Sequence, residues 1–290
     1  MTKRASATIV CAILTTSACA QQDDATSSTN PFDNFTSTWR NDPVWNDGLA
    51  EVAEYDATRD IYGVAREYTA RLYTNKEFAS PVTFTKADGG QRRSVFKHHL
   101  RDDIPTENYT YHYSTMCYVG ATDLKSLKID MGSQEDCGAS FKQFVNHNGT
   151  VTWRQLSYFP QQGRREGKYR PTANFAYQDA LSLVLRGYPF DTPRDVDIQL
   201  LPDQTTTRWS PVKPAAAHVT YIGRGMLDLP IGKVDAHHVR VVPAADKTQH
   251  DYWLHANGSA PLLHVMVQYR GPGGITYRIR TVKREAYWRR

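Results

Sequence analysis

Residues 141–159 read FKQFVNHNGTVTWRQLSYF. Asn148 and Gly149 sit at their centre, the pair that best accepts positive φ at both central positions of a type I′ turn, and the flanks are of strand length. The segment therefore reads as a β-hairpin. The same grammar recurs upstream in YTYHYSTMCY, residues 109–118, where aromatics at every second position put Tyr109, Tyr111 and Tyr113 on one face of a strand. Similar punctuation falls at residues 88–90 (DGG), at Asn257-Gly258 behind YWL (252–254), and at residues 271–274 (GPGG) before ITYRIR (275–280). About a dozen strands follow from such signals. The expectation is a mainly β chain, built as a large antiparallel curved sheet or open half-barrel.

One segment breaks the alternation. FAYQDALSLVLR, residues 175–186, places Leu181, Val184 and Leu185 on one helical stripe and is followed by Gly187 and Pro189 as a stop. It predicts one substantial helix. Residues 161–171 are charged and contain glycine, which marks a possible subdivision. No repeat period is visible, so residues 41–290 are read as a single antiparallel β domain.

The 290 residues are 40% hydrophobic and 22% charged, a composition outside the disordered, collagenous and polytopic membrane classes. The formal charge is +5, and residues 278–290 alone hold six Lys/Arg against one Glu. The body is thus neutral, which argues against nucleic acid as a partner. The basic run (Arg278, Arg280, Lys283, Arg284, Arg289, Arg290) reads as a strand edge protected against pairing; the other reading is contact with anionic headgroups.

Lys3 and Arg4 precede an uncharged run of small and apolar residues, 5–18, too short to span a bilayer, so residues 1–18 read as an export signal. The run ends Thr16-Ser17-Ala18-Cys19, which resembles a bacterial lipobox. Cys19 would then be the lipidated first residue, and acyl chains would anchor the protein in a membrane. Ala20 after it resembles lipoproteins sent to the outer membrane, facing the periplasm. Cleavage before Gln21 by an ordinary signal peptidase, giving a soluble periplasmic or secreted protein, is the alternative. Residues 21–30 (QQDDATSSTN) are polar and aperiodic, and residues 19–40 read as the lipidated Cys and a disordered tether.

Beyond the tether only Cys117 and Cys137 remain, and an oxidising compartment makes their pairing the economical inference. Such a loop stabilises by roughly 3 kcal/mol on the chain-entropy model. Two free thiols are the other reading; a nucleophilic Cys137 is opposed by Glu135 and Asp136, which disfavour a thiolate. No cofactor or metal is expected. The His98-His99 and His237-His238 pairs point to opposite faces of a strand and cannot both reach one ion, and there is no His-Glu-x-x-His, Cys-x-x-Cys or calcium loop. Ser94-x-x-Lys97 has the spacing of penicillin-recognising enzymes, but its flanks are strand-like, which turns the two side chains apart. Gly223-Arg-Gly225 lacks the third glycine of a nucleotide loop. No catalytic residue is assigned. What remains is a set of aromatic and apolar faces suited to lining a ligand groove: Tyr109, Tyr111, Tyr113, Trp153, Tyr177, Leu181, Val184, Leu185 and Trp253. The competing reading is that they simply cover the sheet.

WNDGLAEVAEY (45–55), IYGVARE (61–67), SQEDCG (133–138) and SYF (157–159) together resemble an uncharacterised family of bacterial envelope lipoproteins, some of whose members carry the label septum-formation inhibitor. Asp136 stands where that family has an aromatic. VTYIGRG (219–225), IGKVDAHHV (231–239) and YWL (252–254) are similar to periplasmic domains whose curved sheet is of the LolA and LolB type. That resemblance implies an open half-barrel plugged by helix, able to shelter acyl chains. Two functions stay open: a non-enzymatic outer-membrane lipoprotein that binds a lipid or an envelope partner on its concave sheet, and an extracytoplasmic hydrolase of glycan or ester. A deep pocket with converging Asp, Glu and His would distinguish the second.

Overall fold

A computed structural model describes residues 31–289. The expected export signal, Cys19 and residues 20–30 of the expected tether lie outside the described residues. Residues 31–40, expected to belong to a disordered tether, are instead folded onto the body: Pro31–Asn34 form a 3₁₀ turn, and Phe32, Phe35 and Trp39 are buried in the core, because their rings find apolar partners there. Fifteen strands form one sheet: β1 (Ala50–Ile61), β2 (Val64–Ala79), β3 (Arg93–Pro105), β4 (Thr110–Gly120), β5 (Ser126–Glu135), β6 (Gly138–His147), β7 (Thr150–Ser157), β8 (Arg164–Tyr169), β9 (Phe175–Tyr177), β10 (Val196–Leu201), β11 (Ala215–Leu229), β12 (Gly232–Pro243), β13 (His250–His255), β14 (Met266–Arg270) and β15 (Thr276–Glu285). The order is β8-β7-β6-β5-β4-β3-β2-β1-β15-β14-β13-β12-β11-β10-β9. Every pairing is antiparallel except the short parallel contact of β9 with β10. The chain is therefore mainly β, in a large open antiparallel sheet, as its alternation predicts. Among the described residues no helix is long and apolar enough to cross a membrane.

Turn chemistry sets the hairpins. Asn148 (φ 50°) and Gly149 (φ 74°) both take positive φ between β6 and β7, as a type I′ turn requires. Gly273 and Gly274 (φ 65° and 66°) do the same work between β14 and β15.

The basic run is a correction. Residues 278–285 of it lie on β15, which is not an edge but an interior strand between β1 and β14; Arg289 follows the strand, and Arg290 lies outside the described residues. Three of its charges are paired inside the chain: Arg280 with Asp56, Lys283 with Glu285 and Arg284 with Asp47.

The sheet rolls so far that β9, at one edge, lies against the inside of β5, where the Tyr177 N–H donates to Ser126 Oγ (3.2 Å). At the same end Tyr169 of β8 packs edge-on against Phe175 (6.3 Å). Two short helices complete the fold: α1 (Thr38–Asn41) and α2 (Leu181–Val184). The segment expected to be one helix over 175–186 begins instead as β9. It is helical from Gln178 to Gly187, a single α turn between two 3₁₀ turns. This helical segment fills the concave face. Leu181, Leu183, Val184 and Leu185 are all essentially inaccessible, each burial contributing about 1.5–3 kcal/mol. Arg186 forms a fully buried bidentate pair with Glu51 of β1 (2.6 and 3.0 Å) beside the Trp39 ring. His98 of β3 bridges Thr74 Oγ1 (2.8 Å) and Ser182 Oγ (2.7 Å). Burial keeps that imidazole far below its ordinary pKa, hence neutral, which matches its role as a hydrogen-bonded core residue.

Candidate functional site

The inner faces of β6 and β7 break the usual rule for a buried sheet face. Alternation turns Ser140 and Lys142 inward from β6, and Gln155 and Ser157 inward from β7, and all four are buried. Their partner is the loop of residues 202–210, which follows β10. Lys142 Nζ donates to Gln204 O (2.8 Å) and Ser210 Oγ (2.6 Å), and Ser157 Oγ donates to Thr207 O (2.9 Å). Ser140 Oγ donates to that same carbonyl, and Gln155 Nε2 to Gln204 Oε1 (2.9 Å). From β1 and β4, Arg59 donates to Thr205 O (2.6 Å) and Thr115 bonds the Thr205 hydroxyl (2.8 Å). A polar loop is thus latched into the concavity by polar side chains, which satisfies groups that would otherwise be costly to bury.

Loop and helical segment meet at Asp179. Its carboxylate oxygens accept from the Gln204 N–H (3.2 Å) and the Thr205 hydroxyl (3.0 Å), and it is hydrogen-bonded to Asp203. Burial, reinforced by Asp203 beside it, holds the Asp179 carboxyl well above the usual carboxylate range. Asp203 goes the other way: burial alone would raise it, but the hydrogen bond with Asp179 and the Arg59 guanidinium bring it below its ordinary value. The two carboxyl groups are thus pushed in opposite directions, Asp179 toward its protonated form and Asp203 toward its charged form. On β3, burial pushes Asp102 up to about 6 against the opposing pull of Arg59, and the Tyr277 hydroxyl donates to its Oδ2 (2.9 Å).

A cavity of about 70 Å³ opens in front of this pair. Its lining mixes apolar side chains, Leu72, Leu100, Met266 and Ile275, with Arg59, Asp179, Asp203 and Thr205. Tyr252, Tyr269 and Tyr277 close it with a row of rings whose centroids lie 4.9 and 5.8 Å apart. His250 stands behind, 2.8 Å from the Tyr269 hydroxyl and accepting from Gln178 Nε2 (2.9 Å); burial lowers its pKa. The site can hold a small group against an apolar surface while offering it a proton donor, a carboxylate and a guanidinium.

None of the aromatic and apolar residues expected to line a groove lines this cavity. Tyr109, Tyr111 and Tyr113 do share a face and stack (5.3 and 6.0 Å), but Tyr111 and Tyr113 are buried, with Arg59 over the Tyr113 ring. Tyr177, Leu181, Val184 and Leu185 are core. Trp153 stacks on Phe144 near the β8 edge. Trp253 stacks on His238 (4.3 Å) beneath Arg270.

Cys117 and Cys137 are both free, contrary to the expected disulfide. The reason is register. Cys117 pairs with Ile129 on β5, whereas Cys137 lies at the β5–β6 turn, eight positions further along and so roughly 26 Å away at strand rise. Cys117 is buried in the core, and Cys137 Sγ donates to the Tyr109 hydroxyl (3.2 Å). Among the described residues no three His, Cys, Asp or Glu side chains converge in a way that could hold a metal ion.

No family profile, curated protein or solved structure matches the chain.

Part of the missed site carried a signal. Tyr269 and Tyr277 are equidistant from Gly273 and so face each other once GPGG is read as a hairpin turn, as the register bears out. Asp179 and Asp203 carried none, since one enters from the helical segment and the other from an irregular loop.

Proposed function

We propose that the chain is a non-enzymatic, outer-membrane-type lipoprotein of the bacterial envelope, held by acyl chains on Cys19 and facing the periplasm, that binds an apolar ligand on its concave sheet. The observation that carries this reading is the mixed lining of the cavity. Leu72, Leu100, Met266 and Ile275 offer apolar surface, and Arg59, Asp179 and Thr205 offer hydrogen bonds to a head group. The cavity takes the end of an amphiphile as it stands, and a longer chain enters where loop 202–210 yields. Native mass spectrometry of the mature chain with Cys19 replaced, mixed with palmitate or phosphatidylethanolamine, tests it. A bound lipid mass is expected, lost in Leu100→Trp, whose added bulk fills the cavity while the melting temperature checks the fold. An empty wild-type chain overturns the reading.

The Asp179–Asp203 pair favours a second reading, an extracytoplasmic hydrolase of glycan or ester in which Asp179 donates a proton and Asp203 accepts one. Turnover of p-nitrophenyl esters or glycosides that disappears in Asp203→Asn supports this reading over the first.

A further inference from the structure

Behind loop 202–210, three side chains of the concave wall stand in one row. Register sets Lys142 of β6 opposite Gln155 of β7, and Gln155 opposite Arg165 of β8, so the three share a face with about 5 Å between neighbours. All three converge on a single residue of the loop. Lys142 Nζ donates to Ser210 Oγ (2.6 Å), while Gln155 Nε2 (3.3 Å) and an Arg165 N–H both donate to Ser210 O. Two residues along the same strands, the facing pair Ser140 and Ser157 gives both hydroxyls to Thr207 O.

The row holds two basic groups, yet the hydrogen bonds of both go to uncharged oxygens, those of Gln204, Ser210 and Gln155. Burial lowers the pKa of Lys142 and of Arg165 alike. Arg59 and Arg165 add repulsion at Lys142, and the carboxylates that act on it, Asp203 and Asp179, stand on the loop and the helical segment rather than on the wall. Two cations side by side and answered by a neutral serine make an anion site whose place is taken by the chain itself.

Resting on the lipid-binding reading above, we propose that this row seats the phosphate of a phosphorylated amphiphile once Ser210 withdraws. The phosphate oxygens accept from Lys142, Gln155 and Arg165 in place of Ser210, and their charge answers the two cations. The same loop lines the cavity through Asp203 and Thr205. Its withdrawal therefore joins the phosphate seat to the apolar side chains that take the acyl chain, and carries the Asp203 carboxylate away from the entering anion. A neutral lipid would leave the charges of the row unanswered.

Isothermal titration of the mature chain, with Cys19 replaced, against dihexanoylphosphatidic acid, dihexanoylglycerol and inorganic phosphate tests the proposal. The phosphatidic acid is expected to bind with Kd tighter than about 1 mM, and about tenfold tighter than either of the other two. Lys142→Met/Arg165→Gln should bring it to the level of dihexanoylglycerol, and the milder Arg165→Gln alone should already weaken it, with melting temperatures checking the fold. Bound phosphatidic acid should also speed amide exchange in residues 202–210. Equal affinity for the two lipids overturns the proposal, as does a phosphate preference that survives the double variant, or slower exchange in the loop. Equal affinity for inorganic phosphate overturns the amphiphile as the source of the group. If both lipids bind alike, the phosphate seat fails and the concave-face reading stands; if inorganic phosphate binds and neither lipid does, the reverse holds.

Discussion

Two pieces of chain fill the concave face, and they are held there by opposite means. The helical segment 178–187 is fixed by Leu181, Leu183, Val184 and Leu185 and by the buried Arg186–Glu51 pair. Loop 202–210 is fixed almost wholly by hydrogen bonds to Arg59, Thr115, Ser140, Lys142, Gln155 and Ser157. Water can replace a hydrogen bond at a net cost of about 1 kcal/mol, but it cannot replace packing around a buried leucine. The helical segment is therefore part of the core, and the loop is the piece that can leave.

The contrast breaks most visibly at Glu51. Glu51→Gln strands the Arg186 guanidinium in a water-free site, and the expected loss is about 3–5 kcal/mol of global stability in urea denaturation. A loss under about 1 kcal/mol would mean that the helical segment is not the fixed element.

A smaller effect is expected from the loop's own titration. Burial lowers Lys142 to about 7, below its ordinary 10.5. The folded chain then holds this amine neutral between pH 7 and 10.5 while the unfolded chain holds it charged, so stability rises with pH across that window, falls back as pH drops from 10.5 toward 7, and levels off below 7, where both states are charged. Loop 202–210 should exchange amide hydrogens faster, after correction for intrinsic rates, below pH 7 than above it. Lys142→Met should flatten the dependence, while exchange in segment 178–187 stays unchanged.

The smallest effect belongs to Ser157→Ala. It removes one of two donors to the Thr207 carbonyl and should cost about 1 kcal/mol, visible as faster exchange at the loop before any shift in melting temperature.

Most of the sheet was legible because its signals are local. Asn148-Gly149 needs only its own backbone to make a turn, and Tyr109, Tyr111 and Tyr113 need only period two to share a face. The site was not legible, because its parts meet through tertiary placement. Asp179 enters from a helical turn, Asp203 from a loop without periodicity and Arg59 from β1, the middle strand of the sheet order. The inward polar residues of β6 and β7 also look like surface positions until the loop that answers them is seen. The disulfide expectation failed for a related reason: cysteine count and compartment say nothing about register, and register put Cys117 and Cys137 at different heights on the sheet. The basic run misled because β15 offers no local mark of being central.

That central position has a temporal consequence. Ala50 pairs with Glu285, so the first strand finds its second neighbour only in the last. A polypeptide that emerges amino end first must keep one row of β1 amides and carbonyls uncovered until β15 follows it. Completion of the sheet is thereby timed by the arrival of its final strand, and any earlier pause leaves a sticky seam for a chaperone, or a sister chain, to occupy.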